Sequence, residues 1–496
     1  MSVKPEFETY SYAGRIARFK TQSIVECRLT GVGEIGSVLA TRATAVLTSA
    51  EALDGEVRYN GKLLLGVIYE DADKNVCRME RGAEFTHRGQ HEWVAPAHSA
   101  VVELNVLSST VKREGASLYV SSLVEAEITV NGVHHLDYLT GGSSLICQKN
   151  SVSVLKEEYC GGEVETSDEF ECELVGDILL HGENVCLQHV ACSTGSLTVS
   201  GEAAVNLCVL KDDGLENYER LLPFKVELPC DVASVGMPCQ ATARVLSANL
   251  ALHTDEERRK SKITVELTLQ ISGMVCALEP LTVTEDAFST QCKLQLSKEE
   301  RTFSYCRESL RFTERVSGVA SLSAPIDYTT ALQALVNQKV EANCLVGANG
   351  EDLQGVLSAT LLVSERDSTH RSVQVELPFA LPLKGEVSGE KRISVLVLGM
   401  SVRQKREGEA EVEATLKFTV DVFEERKISF ISAVEEGEAI QQSDSAFSVF
   451  LPLEGDGLWE IAKSLHKSPE DVLSSNPEMT FPVKKGERII VYRQKV

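Results

Sequence analysis

Three places in the chain gather residue types that could do chemistry. Cys186, His189 and Cys192 have a spacing that a helix would turn toward one zinc ion, and thiolate and imidazole are ligands zinc prefers. Their neighbours read as strand, however, and no second ligand pair follows. His134 and His135 are adjacent, and adjacent residues on a strand point to opposite faces, so the two rarely reach one ion. Gly141-Gly142-Ser143-Ser144 sets serines in a glycine-rich turn, but a nucleophile elbow needs a glycine beyond the serine and a strand-turn-helix setting. No glycine-rich phosphate loop with Lys and Ser or Thr occurs, which argues against nucleotide hydrolysis. Acidic residues are abundant without forming a pair for acid and base work, and Glu256-Glu257-Arg258-Arg259-Lys260 reads as a self-neutralising hairpin tip. The expectation is a chain that binds and does not catalyse, with no cofactor and no metal.

The elements that would carry such binding repeat along the chain. Gly61 precedes an apolar strand over Leu63 to Tyr69, Gly201 precedes Val205 to Leu210, and Gly355 precedes Val356 to Val363. A polar stretch and a phenylalanine follow in each copy, at Phe85, Phe224 and Phe379, so glycine and phenylalanine stand 24, 23 and 24 residues apart. Next comes a hairpin whose first strand is Val101 to Leu107, Ala243 to Leu252 or Ile393 to Val402. Its turn is charged: Lys112-Arg113-Glu114-Gly115, the longer Asp255 to Lys262, and Lys405-Arg406-Glu407-Gly408. Alternation such as Val265, Leu267, Leu269 and Ile271 against Glu266, Thr268 and Gln270 predicts antiparallel sheets with one face buried. The fold class expected is mainly β: three antiparallel sandwich-like repeats at 1–145, 146–282 and 283–435, with boundaries near 141–165 and 283–310, ahead of a small unit at 445–496. Thr329 to Gln338 reads as a short helix or strand entering the third copy.

Length and charge are consistent with this. A chain of 496 residues exceeds a single core and predicts roughly three or four units. The formal charge of -24 opposes binding to nucleic acid or anionic lipid, both of which need clustered Lys and Arg. From Ser445 onward seven acidic residues balance seven basic ones, so the acidity belongs to the body. No basic segment followed by an apolar core opens the chain, and no apolar run approaches the roughly 20 residues that span a bilayer. A cytoplasmic protein is expected. The fourteen cysteines lie within the first 344 residues, many in apolar stretches, and read as buried reduced thiols.

The last fifty residues carry the most specific pattern. Leu458, Ile461, Ala462 and Leu465 fall on one helical face; Ser468 with Asp471 three residues on, and Pro469 at the first helical position, start a second helix. Asn476-Pro477 ends it, with strands expected over Phe447 to Leu451 and Glu487 to Tyr492. The succession Gly455-Asp456-Gly457-Leu458-Trp459-Glu460-Ile461-Ala462, Ser468-Pro469-Glu470-Asp471, Asn476-Pro477 and Val483 to Val491 resembles a LysM module, which folds as βααβ. The repeat layout of apolar strand, phenylalanine step and long hairpin looks like the SPOCS domain. Three such units ahead of one LysM module resemble clostridial spore morphogenesis proteins of the SipL type.

That resemblance implies a non-enzymatic adaptor in spore coat assembly, in the mother cell at the forespore surface, recruiting the coat morphogenetic ATPase SpoIVA through its LysM module. The alternative is a module that binds peptidoglycan or cortex glycan through N-acetylglucosamine. Carried over by position, the partner- or glycan-binding residues are Gly455, Asp456, Gly457, Leu458 and Trp459 in one loop, and Asn476, Pro477 and the stretch to Val483 in the other. The tail departs from the usual pattern where Gly457 replaces Thr or Ser, where Pro452 shortens the first strand and where Glu487 stands for Gln; these changes weaken the sugar reading more than the fold reading. Trp459 reads either as a cover for the helix edge or as an exposed anchor at an interface. Lys484-Lys485 reads as a solvated turn or as a contact for an acidic patch.

Overall fold

The computed structural model describes residues 3–30, 35–114, 117–212, 214–326, 330–347, 350–365, 369–383, 389–406, 408–441 and 447–492. Gly115, Thr329 and Glu407, and the tail's residues 445–446 and 493–496, lie outside this set.

The chain is mainly β, and one strand order occurs three times. The first six strands are β1 (Lys4–Leu29), β2 (Ile35–Leu53), β3 (Glu56–Asp71), β4 (Val76–Gln90), β5 (Ser99–Glu114) and β6 (Ser117–Ser143). They form two antiparallel sheets, ordered β1-β6-β5 and β2-β3-β4. The next six are β7 (Ile146–Glu173), β8 (Asp177–Ser193), β9 (Ser196–Lys211), β10 (Gly214–Pro229), β11 (Cys239–Asp255) and β12 (Lys260–Phe288). Their sheets are β7-β12-β11 and β8-β9-β10, which is the same order. Strands β13 (Cys292–Leu322), β14 (Ala331–Gly347), β15 (Gly350–Ser364), β16 (His370–Pro382), β17 (Glu390–Arg406) and β18 (Glu409–Ala439) follow it a third time, their two sheets joined through Leu322 beside Val375. The stretch from Ala331 to Gln338 is strand. The turns between one group and the next, at Ser144–Leu145 and at 289–291, lie within the regions near 141–165 and 283–310, and strands run through the rest of both.

Within each group the two sheets face one another across an apolar core. In the first, Val25, Leu29, Leu118 and Val120 from one sheet meet Leu63, Leu65 and Val67 from the other. In the second, Ile263 to Ile271 meets Leu197 to Val209, and in the third Val412 to Val422 meets Leu353 to Val363. Each fully buried Val or Leu contributes about 1.5–3 kcal/mol, so these inward-facing rows dominate the stability of their group.

The glycine and phenylalanine of the sequence repeat are cross-strand partners. Gly61 lies opposite Phe85, Gly201 opposite Phe224 and Gly355 opposite Phe379. A Cβ on the glycine would come within 2.5, 2.9 and 2.6 Å of the ring of its phenylalanine, so each ring lies over a bare backbone. This explains why a ring can sit on a sheet of tightly packed strands, and why the spacing between the two residues is held: it is set by the register of one hairpin.

The three groups close into a ring. Arg78 of β4 donates from Nε to Asp177 of β8 at 3.1 Å. Asn217 of β10 and Leu335 of β14 exchange hydrogen bonds of 2.9 and 2.6 Å. The His370 backbone N–H of β16 donates to Glu70 at 3.1 Å, which returns the third group to the first. Leu39, Ile68, Leu180, Cys208, Ala334 and Leu362 then share one cluster drawn from all three groups. The far halves of β1 and β6, of β7 and β12, and of β13 and β18 leave their sheets as two-stranded ribbons. These pack on each other through Tyr12, Leu136, Val154, Val283, Phe303 and Phe430.

The Gly355→Ala substitution tests the paired-ring geometry. Its Cβ would stand 2.2 Å from the Glu341 carbonyl oxygen as well as against Phe379, so the urea midpoint should fall by the equivalent of about 1–3 kcal/mol. Gly161→Ala, where the nearest atom lies at 3.4 Å, should leave it nearly unchanged.

Candidate binding site of the C-terminal unit

The last elements are β19 (Phe447–Phe450), α1 (Leu458–Leu465), α2 (Pro469–Ser475) and β20 (Ile489–Tyr492), with β19 and β20 paired antiparallel. Ile461, Ala462, Val472, Val483 and Ile489 form the buried centre of this unit, together with Phe288 at the end of β12. Ser468 caps α2, its Oγ accepting from the Asp471 N–H at 3.0 Å, and Pro469 occupies the first turn where its missing donor costs nothing. Gly457 takes the cap position of α1 and supplies no side-chain bond to the helix.

The two loops named from sequence are zipped together through their backbones. Gly455 N–H donates to Val483 C=O, and Val483 N–H donates to Asp456 C=O, both at 3.0 Å. Asp456 also accepts the Leu453 N–H on its carboxylate at 2.8 Å, which fixes the turn in which Gly455 takes its positive φ of 94°. Asn476 is a buried brace: its amide donates to the Val472 and Ile490 carbonyls and accepts the Ile490 N–H, tying the end of α2 to β20. Leu458 packs into the core of the unit, and Pro477 is exposed.

Trp459 turns inward to the body of the protein. Its indole N–H donates to Asp286 Oδ2 at 2.8 Å, and its ring stands edge-on to Phe288 with centroids 5.1 Å apart. Lys463, one helical turn on, reaches both oxygens of Asp286 at 2.7 Å. His466 completes the contact, its Nδ1 lying 3.3 Å from the Ser289 carbonyl oxygen. Burial raises the pKa of Asp286, but the Lys463 ammonium and the indole N–H outweigh it and hold the carboxyl below its ordinary range. The side chain is aimed at α1 by a bulge in β12 between Thr284 and Asp286. Sequence reasoning did not find Asp286, because its partners lie more than 170 residues away and nothing local distinguishes it.

With Trp459 and Leu458 engaged internally, the exposed apolar surface of the unit lies elsewhere. Phe447 faces Tyr492 and Val449 faces Ile490 across the β19–β20 pair, and these four are 60, 56, 52 and 39% exposed. Leu451 and Leu453 continue the row, at 66 and 76%. Alternation in Phe447, Val449, Leu451 and Leu453 was the available signal for this face.

The residues considered for chemistry have other employment. Cys186, His189 and Cys192 lie on β8. His134 stacks on Tyr12 with centroids 5.1 Å apart, and His135 meets Ser11 Oγ at 2.9 Å. Among the described residues no three His, Cys, Asp or Glu side chains are grouped to hold a metal ion, and no helix is long and apolar enough to cross a membrane. All fourteen cysteines are free thiols. Burial pushes Cys208 and Cys276 up to about 12, which leaves both protonated and unreactive near neutrality. Compared with family models, curated proteins and solved structures, the chain matches none.

The Asp286 contact sets a pH dependence. A carboxyl whose folded pKa is depressed contributes its stability above the ordinary value of about 3.9 and loses it as pH falls through the folded value. In a Trp93→Phe background, Trp459 emission should therefore shift to the red in acid, below about pH 4. Asp286→Ala should produce that shift at pH 7 and weaken docking by about 1–2 kcal/mol, a figure reduced because Lys463 is 43% exposed.

Proposed function

We propose that this chain is a non-enzymatic scaffold in spore coat assembly, in which a LysM-type C-terminal unit recruits the coat morphogenetic ATPase SpoIVA to the forespore surface from the mother cell. The observation that carries the reading is the outward face of β19 and β20. Four large apolar side chains are exposed side by side on a sheet of a unit whose helix α1 is anchored to the body through Asp286 and Phe288. An apolar patch rimmed by polar residues and held in a fixed orientation is the form a protein interface takes, and burying Phe447 and Tyr492 would supply the aromatic anchors on which such interfaces rely. The overall resemblance in sequence supplies the identity of the partner.

The glycan alternative has less support. Sugar recognition by a LysM-type groove relies on free backbone donors and acceptors in the two loops, and here the Gly455 N–H, the Asp456 carbonyl and both backbone groups of Val483 are spent on bonds between the loops. Gly457 adds no hydroxyl, and Trp459 faces Phe288 and not a groove.

Binding of the full chain to purified SpoIVA should be measured beside titration with chitin oligomers and peptidoglycan. Val449→Glu and Ile490→Glu, both at exposed positions, should each weaken ATPase binding at least tenfold, about 1.4 kcal/mol, while circular dichroism stays unchanged. Tight sugar binding with no ATPase binding would sink the adaptor reading. ATPase binding that ignores both substitutions would move the interface away from this face.

A further inference from the structure

The ring of three groups surrounds a half-open cavity of about 1260 Å³, lined by residues of all three. Its walls come from the β1-β6-β5-type sheet of each group, largely the face turned away from the sandwich core, and from β2, β3, β4 and β8 of the second sheets. Alternation makes this plain on β13, β17 and β18. Leu310, Phe312, Ile393, Val395, Leu416 and Phe418 point into the core, whereas their neighbours Arg311, Arg392, Ser394, Lys417 and Thr419 line the cavity.

The three walls differ in charge balance. On the first, Arg18 is ion-paired with Glu127. On the second, Arg244 donates from Nε to Gln270 at 2.7 Å, and Arg42, which reaches in from the first group, faces Glu183. On the third, register sets Arg392 opposite Asp421, Ser394 opposite Thr419 and Arg311 opposite Thr419 on the other side, with Lys417 two residues along. Asp421 there accepts from the Ser309 hydroxyl. Neither Arg311 nor Lys417 forms an ion pair among the described residues, and the Nε–H of Arg311 is buried without a hydrogen-bond partner. In a chain with 73 acidic residues against 49 basic ones, a wall with three cations and one carboxylate is a local reversal of sign.

We propose that this cavity is a binding site for a small polyanion bearing phosphate or carboxylate groups, held on the third wall by Arg311 and Lys417, with Arg392 adding to the positive field. Diagonal neighbours on adjacent strands stand about 7–8 Å apart, so Arg311 and Lys417 can meet one multivalent anion, while Arg392 lies over the Phe423 ring farther along the wall. Arg311 offers the planar fork that suits either oxyanion, and its unpaired Nε–H is the donor such a ligand would satisfy. Ser394 and Thr419 between the cations add neutral hydroxyl donors. The volume exceeds what a single phosphate fills, which favours a ligand with several anionic groups.

Calorimetric titration of the full chain at low ionic strength, with inorganic pyrophosphate and separately with citrate, tests this. One site per chain is expected for at least one probe, the two arms distinguishing phosphate from carboxylate. Arg311→Gln and Lys417→Gln should each weaken it at least tenfold, and Arg392→Gln, at an exposed position, should weaken it severalfold without affecting the fold. Arg258→Gln, on the 81% exposed hairpin tip, should leave it within twofold. Absence of heat with both probes overturns the proposal, as does a loss in the hairpin variant equal to that in the cavity variants.

Discussion

The pairing of the first strand of each group with its sixth is the constraint on which the molecule depends. Strands β1 and β6, β7 and β12, and β13 and β18 run together for 25 or more residues, far beyond the usual strand of about 5–6. Half of each pair is covered by a third strand and builds a sandwich; the other half has no such cover and cannot bury its apolar residues alone. Short turns at Ser144–Leu145 and 289–291 connect one ribbon directly to the next, so the three uncovered ribbons are delivered to one place. Tyr12, Val154 and Phe303 then supply for one another the packing that each ribbon lacks.

The cavity and the ring follow from this geometry. Ribbons that meet at one end hold the sandwiches apart at the other, and the second sheets close the gap where β4 meets β8, β10 meets β14 and β16 meets β2. Bulges between Arg15 and Ala17 and between Cys306 and Glu308 fall where the first and third ribbons leave their sheets, and they twist the strands at that point. The polar face of each first sheet is thereby turned to a shared interior. A face that reads in sequence as ordinary solvent alternation becomes the wall of a cavity only through the arrangement of the groups.

This marks the limit of what the sequence discloses. Period-two alternation made the strands legible, and the recurring glycine and phenylalanine were visible as a spacing, because both follow from local register. The capping serine, Pro469 and the apolar face of α1 were legible for the same reason, and α1, α2 and β20 stand within a few residues of the stretches those signals marked. The near-continuity of the ribbons was not: Gly141-Gly142-Ser143 opens a boundary region, yet it is strand up to the turn at Ser144. Nor was the use of Trp459, whose partner Asp286 is brought close only by the return of β12 to the end of the body. Of the seven candidate residues in the tail, Asp456, Leu458, Trp459 and Asn476 have internal partners that sequence spacing alone does not reveal.

The position of the C-terminal unit is tied to the same ribbons. Asp286 and Phe288 stand at the tip of β12, and Ile146 at the start of β7 joins them in the core of the unit, so its platform is one ribbon end. That platform owes its rigidity to β12 pairing with β7 along its length and to the shared cluster behind it. A surface built on a two-stranded sheet and two short helices would otherwise have too small a core to hold its orientation. Anchored through an aromatic contact and a charge-assisted pair at the tip of a long antiparallel ribbon, the unit holds the apolar face of β19 and β20 in one direction.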